Sequence, residues 1–173
     1  MNAPPANAVE HFAAEAVRFR AWARDGTDSG EVAARNALIR TTALYLAALE
    51  LPPEWSEELA GQPDAKGIAS DERWFVYHGI AARLPFTDYA RVFEPLTLPP
   101  EEPVVGSIGD DVADIYSDVA SGLVEYEAGR KAQAMWEWGF NLRSHWGQHA
   151  TDAIGALHHW LAENAWDQFH PRA

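Results

Sequence analysis

Cysteine is absent from the 173 residues, which excludes disulfides, thiolate metal sites and catalytic thiols. A reducing compartment fits, and a cytoplasmic location is expected. Long apolar runs are missing too. No stretch approaches ~18 consecutive apolar residues, and the opening MNAPPANAVEHF has no basic segment leading into an apolar one, so a soluble protein is expected. Basic residues are few: 13 Lys plus Arg stand against 26 Asp plus Glu, a formal net charge of −13. Such a surface repels phosphate backbones and anionic lipid, so neither nucleic acid nor membrane is expected as a partner. A protein partner reached through the acidic surface stays open, although acidity is chiefly a solubility property. Also lacking are a glycine-rich phosphate loop after a strand, a Gly-x-Ser-x-Gly elbow and a Glu-x-x-His metal motif. No internal repeat and no β alternation outweighs the helical patterns.

What the chain does have is helical period and helix punctuation, and its length suits one domain with its own core. The expectation is an all-α fold: a single helical domain over 1–173, a bundle of about five main helices, with 1–7 as a flexible start and 165–173 as a tail. Asn7 is placed to cap a helix from about Ala8 to Arg24 with a stripe of Phe12, Ala16, Phe19 and Ala23. Asp28 with Glu31 forms a capping-box pattern for a second helix running to about Leu51, where Pro52 and Pro53 end it. Leu38, Thr41, Tyr45 and Ala48 mark its buried side.

Residues 54–69 read as a loop with one short turn at Trp55 to Ala60. Ser70 then caps a third helix with a Trp74, Tyr77 and Ala81 stripe, beside which His78 is expected half-buried, and a short helix over Thr87 to Phe93 follows. PLTLPPEEP, at 95–103, reads as an extended strap. Ser107 and Asp110 cap a helix from about Ile108 to Glu127, closed by Gly129, with Val112, Ile115, Tyr116, Val119, Leu123 and Tyr126 on its apolar face.

Gly129 to Asn164 holds four of the eight Trp and four of the seven His. On a 3.6-residue wheel, Trp136, Phe140, Arg143, Trp146, Ala150, Leu157 and Leu161 share one arc, while Glu137, Gln148 and Asp152 fall opposite. The phase predicts one helix, antiparallel to its predecessor in a long hairpin. At ~1.5 Å per residue its span of about 50 Å exceeds such a domain, which argues for a kink at Gly139 or Gly147.

Counting back from the Ala128–Gly129 corner puts Asp118 near Phe140 and Asn141, Asp114 near Ser144 and His145, and Asp111 near Gly147. An acidic stripe and a His pair thus meet at one level. Two readings follow. Asp114, Asp118, His145 and His149 can surround a divalent metal whose bound water would serve a hydrolase-like enzyme. Alternatively Asp111, Asp114, Asp118, Arg143, His145 and His149 form a hydrogen-bonded structural cluster. The residues favour the second, since neither His-x-x-x-His nor Asp-x-x-x-Asp is specific alone. The leading function is accordingly a non-enzymatic helical binding or regulatory module, with the metal-dependent hydrolase as the alternative. His158, His159 and His170 receive no role.

DDVADIYSDVASGLVEYEAG followed by AMWEWGFNLRSHWGQHATDAIGALHHWL, with YARVFEP upstream, resembles the bacterial domain-of-unknown-function family 5063. The joint occurrence of Asp-x-Tyr-x-Asp and His-Trp-Gly-x-His carries the likeness. It implies an all-α bacterial protein and lends no substrate, cofactor or catalytic residue.

Overall fold

The computed structural model describes residues 7–52 and 67–165. Within them lie six helices and a two-stranded ribbon: α1 (Ala8–Asp25), α2 (Gly30–Leu49), α3 (Ser70–Arg83), β1 (Asp88–Arg91), β2 (Val104–Ser107), α4 (Ile108–Glu127), α5 (Lys131–Ser144) and α6 (Trp146–Asn164). None of the described helices is long and apolar enough to cross a membrane. The expected turn at Trp55 to Ala60 and most of both chain ends lie outside the described residues.

Helix α4 is the axis of the bundle, packed by α1, α3, α5 and α6, while α2 closes the far side against α1 and α6. Its sequence accounts for this position. Ser107 Oγ accepts the Asp110 amide at 3.5 Å to start the helix, and Gly129 at φ 80° ends it. Between them Val112, Ile115, Tyr116, Val119 and Leu123 are buried. Gly122 lets the indole of Trp138 cross α4, since a Cβ there would lie 2.1 Å from Trp138 Nε1. That nitrogen donates to Val119 O at 3.1 Å, and the ring packs on Phe12 and Tyr126.

The predicted α1 stripe of Phe12, Ala16, Phe19 and Ala23 is buried throughout. Elsewhere cap chemistry misleads. Asn7 makes no side-chain cap bond, Ser29 rather than Asp28 is the N-cap of α2, and Ala69 rather than Ser70 is the N-cap of α3. Asp28 is drawn away by long-range donors: Trp22 Nε1 at 3.1 Å, Asn36 Nδ2 at 2.7 Å and Arg83 Nη1 at 2.9 Å. Small residues line the inner face of α2, where Ala33, Ala34, Ala37, Thr41, Leu44, Ala47 and Ala48 are buried and Leu38 and Tyr45 only half so. In α3 the buried line is Val76 and Ile80, continued by Leu84 just past its end, not Trp74, Tyr77 and Ala81. Trp74 and His78 are exposed and stacked on each other.

One expectation is overturned outright, and another, a kink at Gly139 or Gly147, becomes a full break two residues before Gly147. Residues expected as a short helix at 87–93 form β1, antiparallel to β2 with Tyr89 opposite Gly106 and Arg91 opposite Val104. Gly106 is required because the Tyr89 ring and the Arg91 stem lie across it, 2.7 and 3.0 Å from where a Cβ would stand. The single helix expected over 129–164 is broken at His145 (φ −149°, ψ −83°), which terminates α5 and starts α6. Ser144 Oγ turns back to Phe140 O at 2.8 Å, a bond that weakens the ladder. Gly147 then permits the corner, since a Cβ there would meet Leu142 O at 2.0 Å.

The break shifts the wheel between the two halves. Trp146, Ala150, Ala153, Leu157 and Leu161 are buried on α6 as predicted. On α5 the buried residues are Ala134, Glu137 and Trp138, whereas Phe140 and Arg143 face outward. Glu137, expected in solvent, is one of the few buried acids and accepts Gln133 Nε2 at 3.0 Å.

Candidate metal centre

The corner at His145 and the first turn of α6 set two imidazoles against the acidic edge of α4. His149 Nδ1 donates to Asp111 Oδ1 at 2.8 Å, and His145 Nδ1 donates to Asp118 Oδ2 at 2.8 Å. The two rings stand edge to face with centroids 4.9 Å apart. With each Nδ1 held by a carboxylate, Nε2 is the nitrogen left for another partner. His149 Nε2 lies 3.6 Å from Asp114 Oδ2. One ligand atom from each of Asp114, His145 and His149 falls within 4.8 Å of the others.

Around this trio the positioning is dense. Arg73, from α3, grips Asp114 Oδ1 through Nε at 2.7 Å and Asp110 Oδ1 through Nη2 at 2.6 Å, so Asp114 turns its second oxygen toward His149. Tyr89, from β1, donates its hydroxyl to Asp111 Oδ2 at 2.5 Å. Asp111 is 2 % exposed, so both oxygens of this buried carboxylate are satisfied, one by Tyr89 and one by His149. Arg91, also from β1, pairs with Asp152 of α6 at 2.9 Å.

Electrostatics follow from these contacts. The Asp111 hydrogen bond holds His149 above the usual imidazole pKa, against the opposing effect of burial. Burial pushes the carboxyls of Asp118 and Asp152 upward, with His145 and Arg91 respectively working against the rise. Burial and then Asp111 raise Tyr89 far out of the physiological range, so it remains a donor. Five carboxylates (Asp110, Asp111, Asp114, Asp118 and Asp152) share two guanidiniums, Arg73 and Arg91. The surplus negative charge is what imidazolium protons or a divalent cation can offset.

Of the residues predicted from sequence, Asp111, Asp114, Asp118, His145 and His149 do converge. The pairing is displaced toward the C-terminus from the equal-count expectation, by about one helical turn where Asp118 meets His145 and by about half a turn where Asp111 meets His149. With a corner at His145, α6 approaches α4 on its own path, and counting from Ala128–Gly129 no longer holds. Arg143 lies elsewhere, exposed beside Trp136 and Phe140 on the α2 side of α5. Arg73, Tyr89 and Arg91 supply what Arg143 was expected to, and Asp152, expected in solvent, is half-buried against Arg91. The Tyr89/Arg91 alternation opposite Val-Val-Gly-Ser was the available signal for the ribbon that delivers two of them; nothing local marks Arg73.

Fold and centre define a class: an all-α bundle whose last helices hold an Asp/His cluster against a central acidic helix. The chain belongs to the family described as "Domain of unknown function (DUF5063)", whose profile matches residues 7–163. It is similar in fold to the crystal structure of protein BF1032 from Bacteroides fragilis, with a TM-score of 0.72 at 21 % identity over 88 % of this chain and 91 % of that one. No curated protein matches it.

Proposed function

We propose that this chain is a divalent-cation-binding helical protein that holds its ion with Asp114, His145 and His149. The supporting observation is the pair of Nδ1–carboxylate bonds, His145 to Asp118 and His149 to Asp111. Metal-ligating imidazoles are oriented in this way, with the second nitrogen donating to a carboxylate that fixes the tautomer. Two imidazoles and one carboxylate suit zinc, or a first-row ion such as Fe(II) with open positions. Ligand atoms on such an ion stand roughly 3 Å apart, so binding draws the trio inward from 4.8 Å. His145, exposed at a helix corner, is the least enclosed of the three and pivots about its bond to Asp118 in closing that distance. Three protein ligands leave a coordination position for water on such an ion, which supports a hydrolase-like activity; the cysteine-free composition supports a cytoplasmic setting.

Calorimetric titration of untagged protein with Zn²⁺ and Mn²⁺, in two buffers of different ionisation enthalpy, tests the assignment. The expected result is one ion per chain with net proton release, because His149 must lose its proton to ligate. A second reading, the hydrogen-bonded clasp, is favoured by the 3.6 Å approach of His149 Nε2 to Asp114, which bridges a protonated imidazole between two carboxylates. Absence of saturable binding by either ion would select it.

A further inference from the structure

The ribbon and α6 enclose a groove of about 620 Å³ that needs no ion. One wall is β1 and the residue after it: all four strand residues, Asp88 to Arg91, and then Val92 line it, and no residue of β2 does. Since β2 occupies one edge of β1, lining by consecutive rather than alternate residues points to the strand's other edge, which no strand among the described residues pairs. The opposite wall is one face of α6, in which Gly155 and Ala156 keep the middle open. A Cβ added at Gly155 would meet nothing within 4 Å. Phe86 and Trp160, near-parallel with centroids 6.3 Å apart, add an apolar surface.

We propose that this groove receives an extended basic polypeptide segment, which adds to β1 as a third strand. The four residues of β1 set the length of strand that can pair along it. Charge selects a basic one. Arg91 is consumed by Asp152, at side-chain exposures of 10 % and 16 %, while the exposed carboxylates of Asp88 and Glu163 on the groove walls face, among the described residues, the Thr87 hydroxyl at 3.2 Å and His159 Nε2 at 3.3 Å and no guanidinium or ammonium group. A strand alternating Lys or Arg with aliphatic residues would place cations toward Asp88 and Glu163 and an aliphatic side chain on Phe86 and Trp160, as in strand-addition recognition generally. The net charge of −13 steers such a segment in from a distance.

The probe is an acetylated Lys-Val-Lys-Leu-Lys-Val-Lys amide, followed by fluorescence anisotropy with the full chain in metal-free buffer. The expected result is saturable binding, weakened about tenfold or more when Glu replaces Lys and likewise when alternate backbone nitrogens are methylated. Gly155→Phe fills the groove from an exposed helical position and should reduce affinity by about tenfold without lowering the melting temperature. Glu163→Lys should weaken it several-fold and flatten its salt dependence. Equal affinity for the Glu peptide, indifference to N-methylation, or unchanged binding by Gly155→Phe would each overturn the proposal. Binding of this peptide with no uptake of metal would leave the groove assignment standing and the ion assignment refuted, so the two fail separately.

Discussion

Two polar clusters brace this bundle, and they are built on opposite principles. At one end Asp28 and Arg83 tie the α1–α2 connection to α3. The carboxylate takes Trp22 Nε1, Asn36 Nδ2 and Arg83 Nη1, while Arg83 Nη2 donates to Trp22 O and Ala23 O at the end of α1. Gly26 makes room, since a Cβ there would stand 1.8 Å from Arg83 Nη1. One acid meets one base, both largely enclosed at 14 % and 12 % exposure. At the other end five carboxylates surround two guanidiniums and two titratable rings. A saturated, charge-matched pair has no capacity left for a ligand; an over-supplied carboxylate cluster around oriented imidazoles does. The difference separates a structural brace from a candidate site within one molecule.

The largest expected effect lies at the brace. Arg83→Met leaves Asp28 half-buried without its cation and should lower stability by roughly 3 kcal/mol in urea unfolding, equally with and without Zn²⁺. If added metal rescued that variant, the contrast between the clusters would break. His149→Ala should destabilise the metal-free protein by about 1–3 kcal/mol, because buried Asp111 keeps only Tyr89 as donor. It should also abolish the stabilisation that Zn²⁺ gives the parent, about 2.7 kcal/mol at a hundredfold excess over Kd. Tyr89→Phe removes the other donor to Asp111 and should destabilise by about 1.5 kcal/mol, with Zn²⁺ stabilisation largely retained, since Tyr89 does not touch the ligand trio.

The smallest effect sharpens the comparison through pH. His149 faces Asp111 and Asp114 of α4, His145 at the corner and, at longer range, Arg91 of β1, and its folded pKa is raised. Its contribution is therefore fully present below the unfolded pKa of about 6.5 and is lost as pH rises through the folded value. Raised Asp118 and Asp152 act in the same direction lower down, their ionisation subtracting stability above the ordinary carboxylate range. The metal-free protein should accordingly melt higher at about pH 6 than at about pH 8, and His149→Gln should remove most of that difference. Stabilisation by Zn²⁺ should run the other way, growing with pH as protons leave the imidazoles.

Much of this contrast was legible in the sequence, and the remainder was not for identifiable reasons. Helix α4 was readable because Ser107, Asp110 and Gly129 are local signals flanking a clean 3.6 period. The meeting of Asp111, Asp114 and Asp118 with His145 and His149 followed from two adjacent helices and a short corner. The break at His145 was hidden because Trp136, Phe140 and Arg143 happen to continue the apolar phase of α6, although none of them is fully buried. Arg73, Tyr89 and Arg91 reach the cluster from α3 and β1, and no periodicity encodes contacts between distant elements. Asp28 shows the same limit from the other side: a good local cap residue is taken by Trp22, Asn36 and Arg83.

The claim that the second cluster is a metal centre is tested most directly by elemental analysis of untagged protein after dialysis against a slight excess of Zn²⁺ and then metal-free buffer. One ion per chain is expected in the parent and in Arg83→Met, and substoichiometric metal in His149→Ala and Asp114→Ala. Metal-free parent protein, or equal retention by the parent and His149→Ala, would contradict it.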